Sequence, residues 1–125
     1  MKSFADLTNY IVDMVFVSDM QAKILYVNDA VINTYGFSRE DLLGKSILTI
    51  QNEISEEFFK EFWSKAAIGT SRTIESLHYR KNGDSLPVEI HSILIEDDGE
   101  RLVVSTVRDI TRRKRDEMLL KEKNL

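Results

Sequence analysis

Asn82-Gly83-Asp84-Ser85-Leu86-Pro87-Val88-Glu89-Ile90-His91-Ser92-Ile93-Leu94-Ile95-Glu96-Asp97-Asp98-Gly99 reads as one β-strand held between two turns. Asn-Gly and Asp-Gly are the residue pairs that tolerate the left-handed backbone of tight hairpin turns. Asn82-Gly83 is the stronger signal and Asp98-Gly99 the second. Strands at Arg72 to Arg80, Ser85 to Glu96 and Arg101 to Asp109 therefore form a three-stranded meander. Pro87 has no backbone donor, which places it near a strand start or at a bulge. Side chains alternate between the faces of a strand. Leu77, Tyr79, Ile93 and Ile95 alternate with the residues of the opposite face, so both faces of the sheet need cover.

Working back from the meander, Met14 to Ser18 and Lys23 to Val27 are β-rich runs joined by a short polar turn, a second hairpin. Asn28 is suited to cap a helix through Tyr35, which Gly36 ends in the left-handed conformation. Ser38-Arg39-Glu40-Asp41 is a capping box, closed by Gly44 after one turn. A longer helix starts at Ser55 and runs to Ile68, where Gly69 stops it. Ile54 and Phe59 flank its cap as a hydrophobic staple. Phe58, Phe62 and Ala66 recur at helical spacing, and Leu42, Phe58 and Phe62 are the expected core anchors. Ser3 with Asp6 reads as a capping box for an opening helix through Ile11. The expected organisation is a flanking helix over 1–12, one domain over 13–111 and a linker helix over 112–125. Strands, short helices, one longer helix and strands again make an α+β fold with one antiparallel sheet.

The 125 residues suit a single domain, and a hydrophobic content of 42% suits a globular core. Lys and Arg number 17 against 21 acidic residues, a net charge of -4, which argues against a nucleic-acid partner. No cysteine is present, so disulfides and thiolate metal sites are excluded and a reducing cytoplasm is allowed. No apolar run approaches the roughly 20 residues that span a bilayer. Met1-Lys2-Ser3 opens no signal peptide. The domain is thus expected to be cytoplasmic without direct membrane contact, although a parent protein can be anchored elsewhere.

From Asn9 to Lys114 the chain resembles a PAS domain with its C-terminal PAC motif. The segments that carry the resemblance are Val15-Phe16-Val17-Ser18-Asp19, Ile24-Leu25-Tyr26-Val27-Asn28 and, most specific, Tyr35-Gly36-Phe37-Ser38-Arg39-Glu40-Asp41-Leu42-Leu43-Gly44-Lys45. Arg80-Lys81-Asn82-Gly83, Pro87-Val88-Glu89-Ile90 and Asp97-Asp98-Gly99 follow, leading to Arg108-Asp109-Ile110-Thr111. Each motif alone is weak; their order and spacing together are specific. Ala22 departs from the glycine usual in the first hairpin, which implies a different turn on the same fold. The resemblance implies a five-stranded antiparallel sheet with short helices and one longer helix on one face and a pocket between them. It also implies a sensory or dimerisation role upstream of a kinase, cyclase or transcription-factor domain.

Alternation and the resemblance together set the expected pocket lining. It comprises Phe16 and Ser18 on the first strand, Phe62 and Ala66 on the long helix, and Ile74, Ser76 and His78 on the third strand. Val88, Ile90 and Ser92 follow on the fourth strand, with Ser105 and Val107 on the last. His78 is the candidate for ligand selectivity, against the plain alternative of a satisfied histidine in a filled core. The resemblance makes Asp109, Ile110 and Thr111 a signal-coupling element. A covalent flavin adduct or thioester-linked chromophore needs the cysteine that is missing. Haem is disfavoured because the long helix, which supplies the haem ligand in the family, has no histidine. The cofactor is otherwise unknown. No His, Asp or Glu cluster has metal-ligand spacing. Trp63 reads as a packing residue before it reads as a flavin platform. Arg112 to Arg115 reads as a solvated helix turn. No nucleophile, base and orienter converge.

The leading expectation is a sensory domain that binds a small ligand or cofactor. It relays through dimerisation and a C-terminal helix to an effector outside the chain, of histidine kinase or diguanylate cyclase type. The alternatives are a ligand-free dimerisation and spacer module and, more distantly, a small α+β enzyme. The partners expected are a second copy of the chain, a small molecule and that C-terminal effector.

Overall fold

The structure, a computed structural model, describes residues 13–123. The expected opening helix over 1–12 lies outside the described residues. Strands β1 (Met14–Ser18), β2 (Ile24–Val27), β3 (Ser71–Tyr79), β4 (Ser85–Asp97) and β5 (Glu100–Asp109) form one sheet in the order β2-β1-β5-β4-β3, every neighbour antiparallel. Between β2 and β3 lie α1 (Asp29–Tyr35), α2 (Arg39–Leu42), a 3-10 turn (Ile47–Thr49) and α3 (Glu56–Ser64). Helix α4 (Thr111–Lys123) leaves the end of β5.

Local chemistry fixes these elements. Asn28 caps α1 with its side chain on the Val31 N–H, and Gly36 closes the helix at φ 82°. Asn28 also ties the helix to the sheet. Its Oδ1 accepts from Val15 N at 3.0 Å and its Nδ2 donates to the Asp13 carbonyl at 3.0 Å. Ser38 and Asp41 form the reciprocal capping box of α2. Asp98 and Gly99 both adopt positive φ, 50° and 79°, as a two-residue hairpin requires. The other hairpin is wider than its Asn-Gly pair suggests. Gly83 N bonds the Arg80 carbonyl and Arg80 N the Asp84 carbonyl, so Lys81, Asn82 and Gly83 form a three-residue loop with only Gly83 left-handed. In the first hairpin Ala22 itself takes φ 65°, a conformation that costs a non-glycine residue about 1–2 kcal/mol. Asp19 holds that turn by accepting from the backbone of Gln21 and Lys23.

The core has two parts. Met14, Phe16, Val31, Tyr35, Leu42 and Val88 belong to the larger cluster, between the sheet and α1–α2. Ala22, Phe59, Trp63, Leu94 and Val103 form the smaller one under α3. Two expectations about α3 need correction. The helix ends at Ser64 and not at Ile68. Gly69 N and the Thr70 carbonyl pair with Leu94, so the chain is already captured by β4 at that point. Its buried residues are Phe59 and Trp63, whereas Phe58 is 47% exposed and Phe62 half-buried. Phe58 is therefore no core anchor. Ile54 packs against the same small cluster as Phe59, and that staple turns the neighbouring face of the helix inward.

Candidate functional site

Between the sheet and α3 lies a cavity of about 120 Å³. The inner face of the sheet builds its floor in rows. One row runs Arg72, Ser92, Ser105, Phe16 across β3, β4, β5 and β1. The next runs Ile74, Ile90, Val107, Met14 and is wholly apolar. Farther along β3 come Ser76 and then His78.

Nine of the residues expected at a pocket share this cavity wall: Phe16, Ser18, Ile74, Ser76, His78, Ile90, Ser92, Ser105 and Val107. Three do not. Val88 is fully buried in the larger core cluster, where residues of α1 and α2 fill the space above it. Phe62 and Ala66 line a separate surface groove with Phe58 and Lys65. The rotation of α3 toward Phe59 and Trp63 put those two on the cavity wall in their place. The sequence reading also missed Ile47, Ile50, Gln51, Glu53 and Ile54, which close the cavity from the irregular segment before α3. Their only sequence signal was the Ile54 staple residue, since the segment has no period to read. Arg72 was missed too; its guanidinium lies 4.8 Å from the centre of the Phe62 ring, a cation–π contact.

His78 is buried, and its Nδ1 lies 2.5 Å from the Tyr35 hydroxyl. Burial, with Asp109 adding to it, holds the Tyr35 phenol above the usual tyrosine range, so it keeps its proton. Burial likewise pushes the His78 pKa down to about 4, so the ring is neutral near pH 7. Nδ1 is the one acceptor offered to the Tyr35 O–H among the described residues. Tyr35 therefore donates, and the imidazole carries its own proton on Nε2. No described protein atom accepts from Nε2. Elsewhere on the wall, Ser92 and Ser105 share one hydrogen bond at 2.7 Å, which leaves one of their two O–H groups over. Gln51 is committed to its own loop, accepting from Glu53 N and Ile54 N and donating to the Ile54 carbonyl. Glu53 accepts at Oε1 from Ser76 Oγ and Leu77 N on the free edge of β3. Among the described residues no group of three His, Asp or Glu is placed to hold a metal ion.

The junction after β5 is built from the same strand. Asp109 Oδ1 accepts from both the N–H and the hydroxyl of Thr111, at 2.8 and 2.6 Å. Ile110 is buried, and its N–H donates to the Pro87 carbonyl of β4. The first turn of helix α4 then meets the outer face of the sheet. Arg113 reaches Glu75 at 2.6 Å and Glu89 at 3.3 Å, and Lys114 reaches Glu75 at 3.0 Å. Glu75 and Glu89 are directly paired across β3 and β4, an arrangement of like charges that repels until those cations arrive. The hydrogen bond from Lys114 leads the contacts that hold the Glu75 carboxyl below its ordinary range. Met118, Leu119 and Leu120 farther along the helix are exposed.

A five-stranded antiparallel sheet that carries its helices on one face, with a cavity beneath them and a helix leaving the last strand, defines a small sensory domain. The chain matches the PAS domain family over residues 12–112 and belongs to it. It is similar to the PAS domain of an HTR-like protein from Haloarcula marismortui, with a TM-score of 0.80 and 26% identity over 87% of this chain and 90% of that one. It is also similar to a PAS domain of a two-component sensor histidine kinase, with a TM-score of 0.74 and 26% identity over 86% and 94% of the two chains. Among characterised proteins, the methyl sulfide methyltransferase-associated sensor of Methanosarcina acetivorans is 30% identical over 95 residues. The match spans 74% of this chain and 9% of that protein. No described helix is long and apolar enough to cross a membrane.

Proposed function

We propose that this PAS domain is a cytoplasmic ligand sensor that drives an effector outside the chain, of histidine kinase or diguanylate cyclase type. A small molecule enters the cavity, β5 shifts, and α4 carries the displacement outward. The observation that supports this most is the continuity of β5. Ser105 and Val107 stand on the cavity wall, and two residues farther on Asp109 holds the first residue of α4. A change at the wall has a path of one strand to the exit helix. The coupling energy is bounded by the ligand's differential affinity for the two positions of that strand.

In this reading the chain works as a parallel pair. An isolated helix of the length of α4 is marginal in water, and its Met118, Leu119 and Leu120 are exposed for a second copy. Asp109→Ala in the full-length parent tests the relay. Output is expected to lose its dependence on stimulus while melting temperature and ligand affinity stay close to wild type. Normal signalling by that variant overturns Asp109, Ile110 and Thr111 as the coupler. A parent protein whose output answers no small molecule is a ligand-free spacer instead.

A further inference from the structure

The cavity's chemistry names a class of ligand, an inference that rests on the ligand-sensing reading above. Its unspent polar groups are mainly donors. At one end stands the Nε2–H of His78, in a side chain only 3% exposed. At the other end Arg72 and the Ser92–Ser105 pair share one cross-strand row, with the Ser18 hydroxyl beside them on β1. The guanidinium of Arg72 stacks on the Phe62 ring at the rim of the cavity and forms no ion pair among the described residues, so its N–H groups stay available. Serine hydroxyls both donate and accept, but the histidine N–H and the guanidinium only donate. The one acid on the wall, Glu53, has Oε1 committed to the edge of β3 beside Ser76, two rows from Arg72.

The protein leaves these donors open on the cavity wall, and a ligand that supplies acceptors satisfies them. The two donor ends lie on either side of Phe16. Its backbone pairs with Ser105, and its ring stands 6.4 Å from that of His78. Between the ends the floor is the apolar row of Ile74, Ile90 and Val107. A cavity of about 120 Å³ has room for a small molecule.

We infer that the cavity takes a small oxo acid: a carboxylate at one end, a short apolar chain, and a neutral carbonyl oxygen at the other. The carboxylate accepts from Arg72 and the spare hydroxyl of the serine pair. The far oxygen accepts from His78 Nε2–H. A primary amine meets the positive charge of Arg72, and the one carboxylate on the wall, Glu53, lies two rows away at the β3 edge with Oε1 already accepting from Ser76 and Leu77.

Four probes of nearly one size separate these features: 5-oxohexanoate, hexanoate, hexan-2-one and hexylamine. Each is titrated into the full chain and followed by the methyl NMR signals of Ile74, Ile90 and Val107. The oxo acid is expected to bind at least about ten-fold tighter than either compound that lacks one end, the discrimination given by one good hydrogen bond to a buried site. Arg72→Gln is expected to weaken 5-oxohexanoate and hexanoate about ten-fold and leave hexan-2-one unchanged. His78→Phe is expected to weaken 5-oxohexanoate and hexan-2-one and leave hexanoate unchanged. That last probe distinguishes a lost contact from a damaged fold. If hexylamine or hexan-2-one binds as tightly as the oxo acid, the ligand class is wrong while the sensing cavity stands. If no probe moves the cavity methyls, the ligand-sensing reading falls with it.

Discussion

Acid should weaken this domain through one imidazole. His78 has a pKa near 4 in the folded chain against 6.5 for the free side chain, because burial disfavours its charged form. Between those values the unfolded chain binds the proton that the folded chain refuses, so stability falls as pH falls. The contribution is intact above pH 6.5, has declined by about 2 kcal/mol at pH 5, and approaches a loss of about 3 kcal/mol below pH 4. That is a large part of the roughly 5–15 kcal/mol that holds a domain of this size. Other ionisable groups contribute to the same curve, so a single curve does not isolate the effect. Urea unfolding of wild type and His78→Phe from pH 4 to 7.5 does, because the other groups are common to both. The variant loses the bond to Tyr35 and starts lower at pH 7.5, and the gap narrows as pH drops. Two curves that stay parallel across the window would refute both the burial of the neutral ring and the tautomer assigned from it.

Phe59→Ala is expected to cost about 3–5 kcal/mol and Phe58→Ala under about 1 kcal/mol, compared by urea midpoint, because only the first fills the core under α3. Asn28→Ala removes a helix cap and leaves a buried Val15 N–H without its acceptor. A loss of about 2–4 kcal/mol is expected by the same measurement. Glu75→Gln should speed amide hydrogen exchange in the first turns of α4 while β4 and β5 exchange as before; unchanged exchange in α4 would mean that the ion pairs do not hold the helix.

Features whose physics is local were legible in the sequence. The Asn28 cap, the Ser38–Asp41 box and the Asp98-Gly99 turn each need only neighbours within four residues. Strand alternation then sorted Ile74, Ser76 and His78 from Leu77 and Tyr79 without any knowledge of the partner strand. The face of α3 was not legible in the same way. Phe58, Phe59, Phe62 and Trp63 offer two overlapping stripes at helical spacing, and the angle at which the chain enters the helix chooses between them. The Ile54–Phe59 staple pointed to the correct stripe and was outweighed by the longer run through Ala66. The end of α3 was misread for a tertiary reason, since Gly69 and Thr70 are claimed by Leu94 on another strand. The stretch from Ile47 to Ile54 closes the cavity with turns and five lining side chains, and no periodicity announces which of its side chains point inward. Family membership depended on the order of short motifs, and it survived each of these local errors.

The clamp of Arg113 and Lys114 on Glu75 and Glu89 makes the exit helix sensitive to the solution around it. None of the side chains of α4 is buried, so its hold on the sheet beyond Ile110 is mostly charge on charge at an exposed surface. Such contacts are screened by dissolved ions, with a Debye length of about 8 Å at physiological ionic strength and about 3 Å at 1 M. Rising salt therefore loosens the helix from the paired glutamates without touching the cavity, and those glutamates, left facing each other, repel less as the same ions screen them. The stiffness of the joint between the sheet and its exit helix is therefore set by the electrolyte, so the domain in dilute buffer and in concentrated salt is two differently braced versions of one structure.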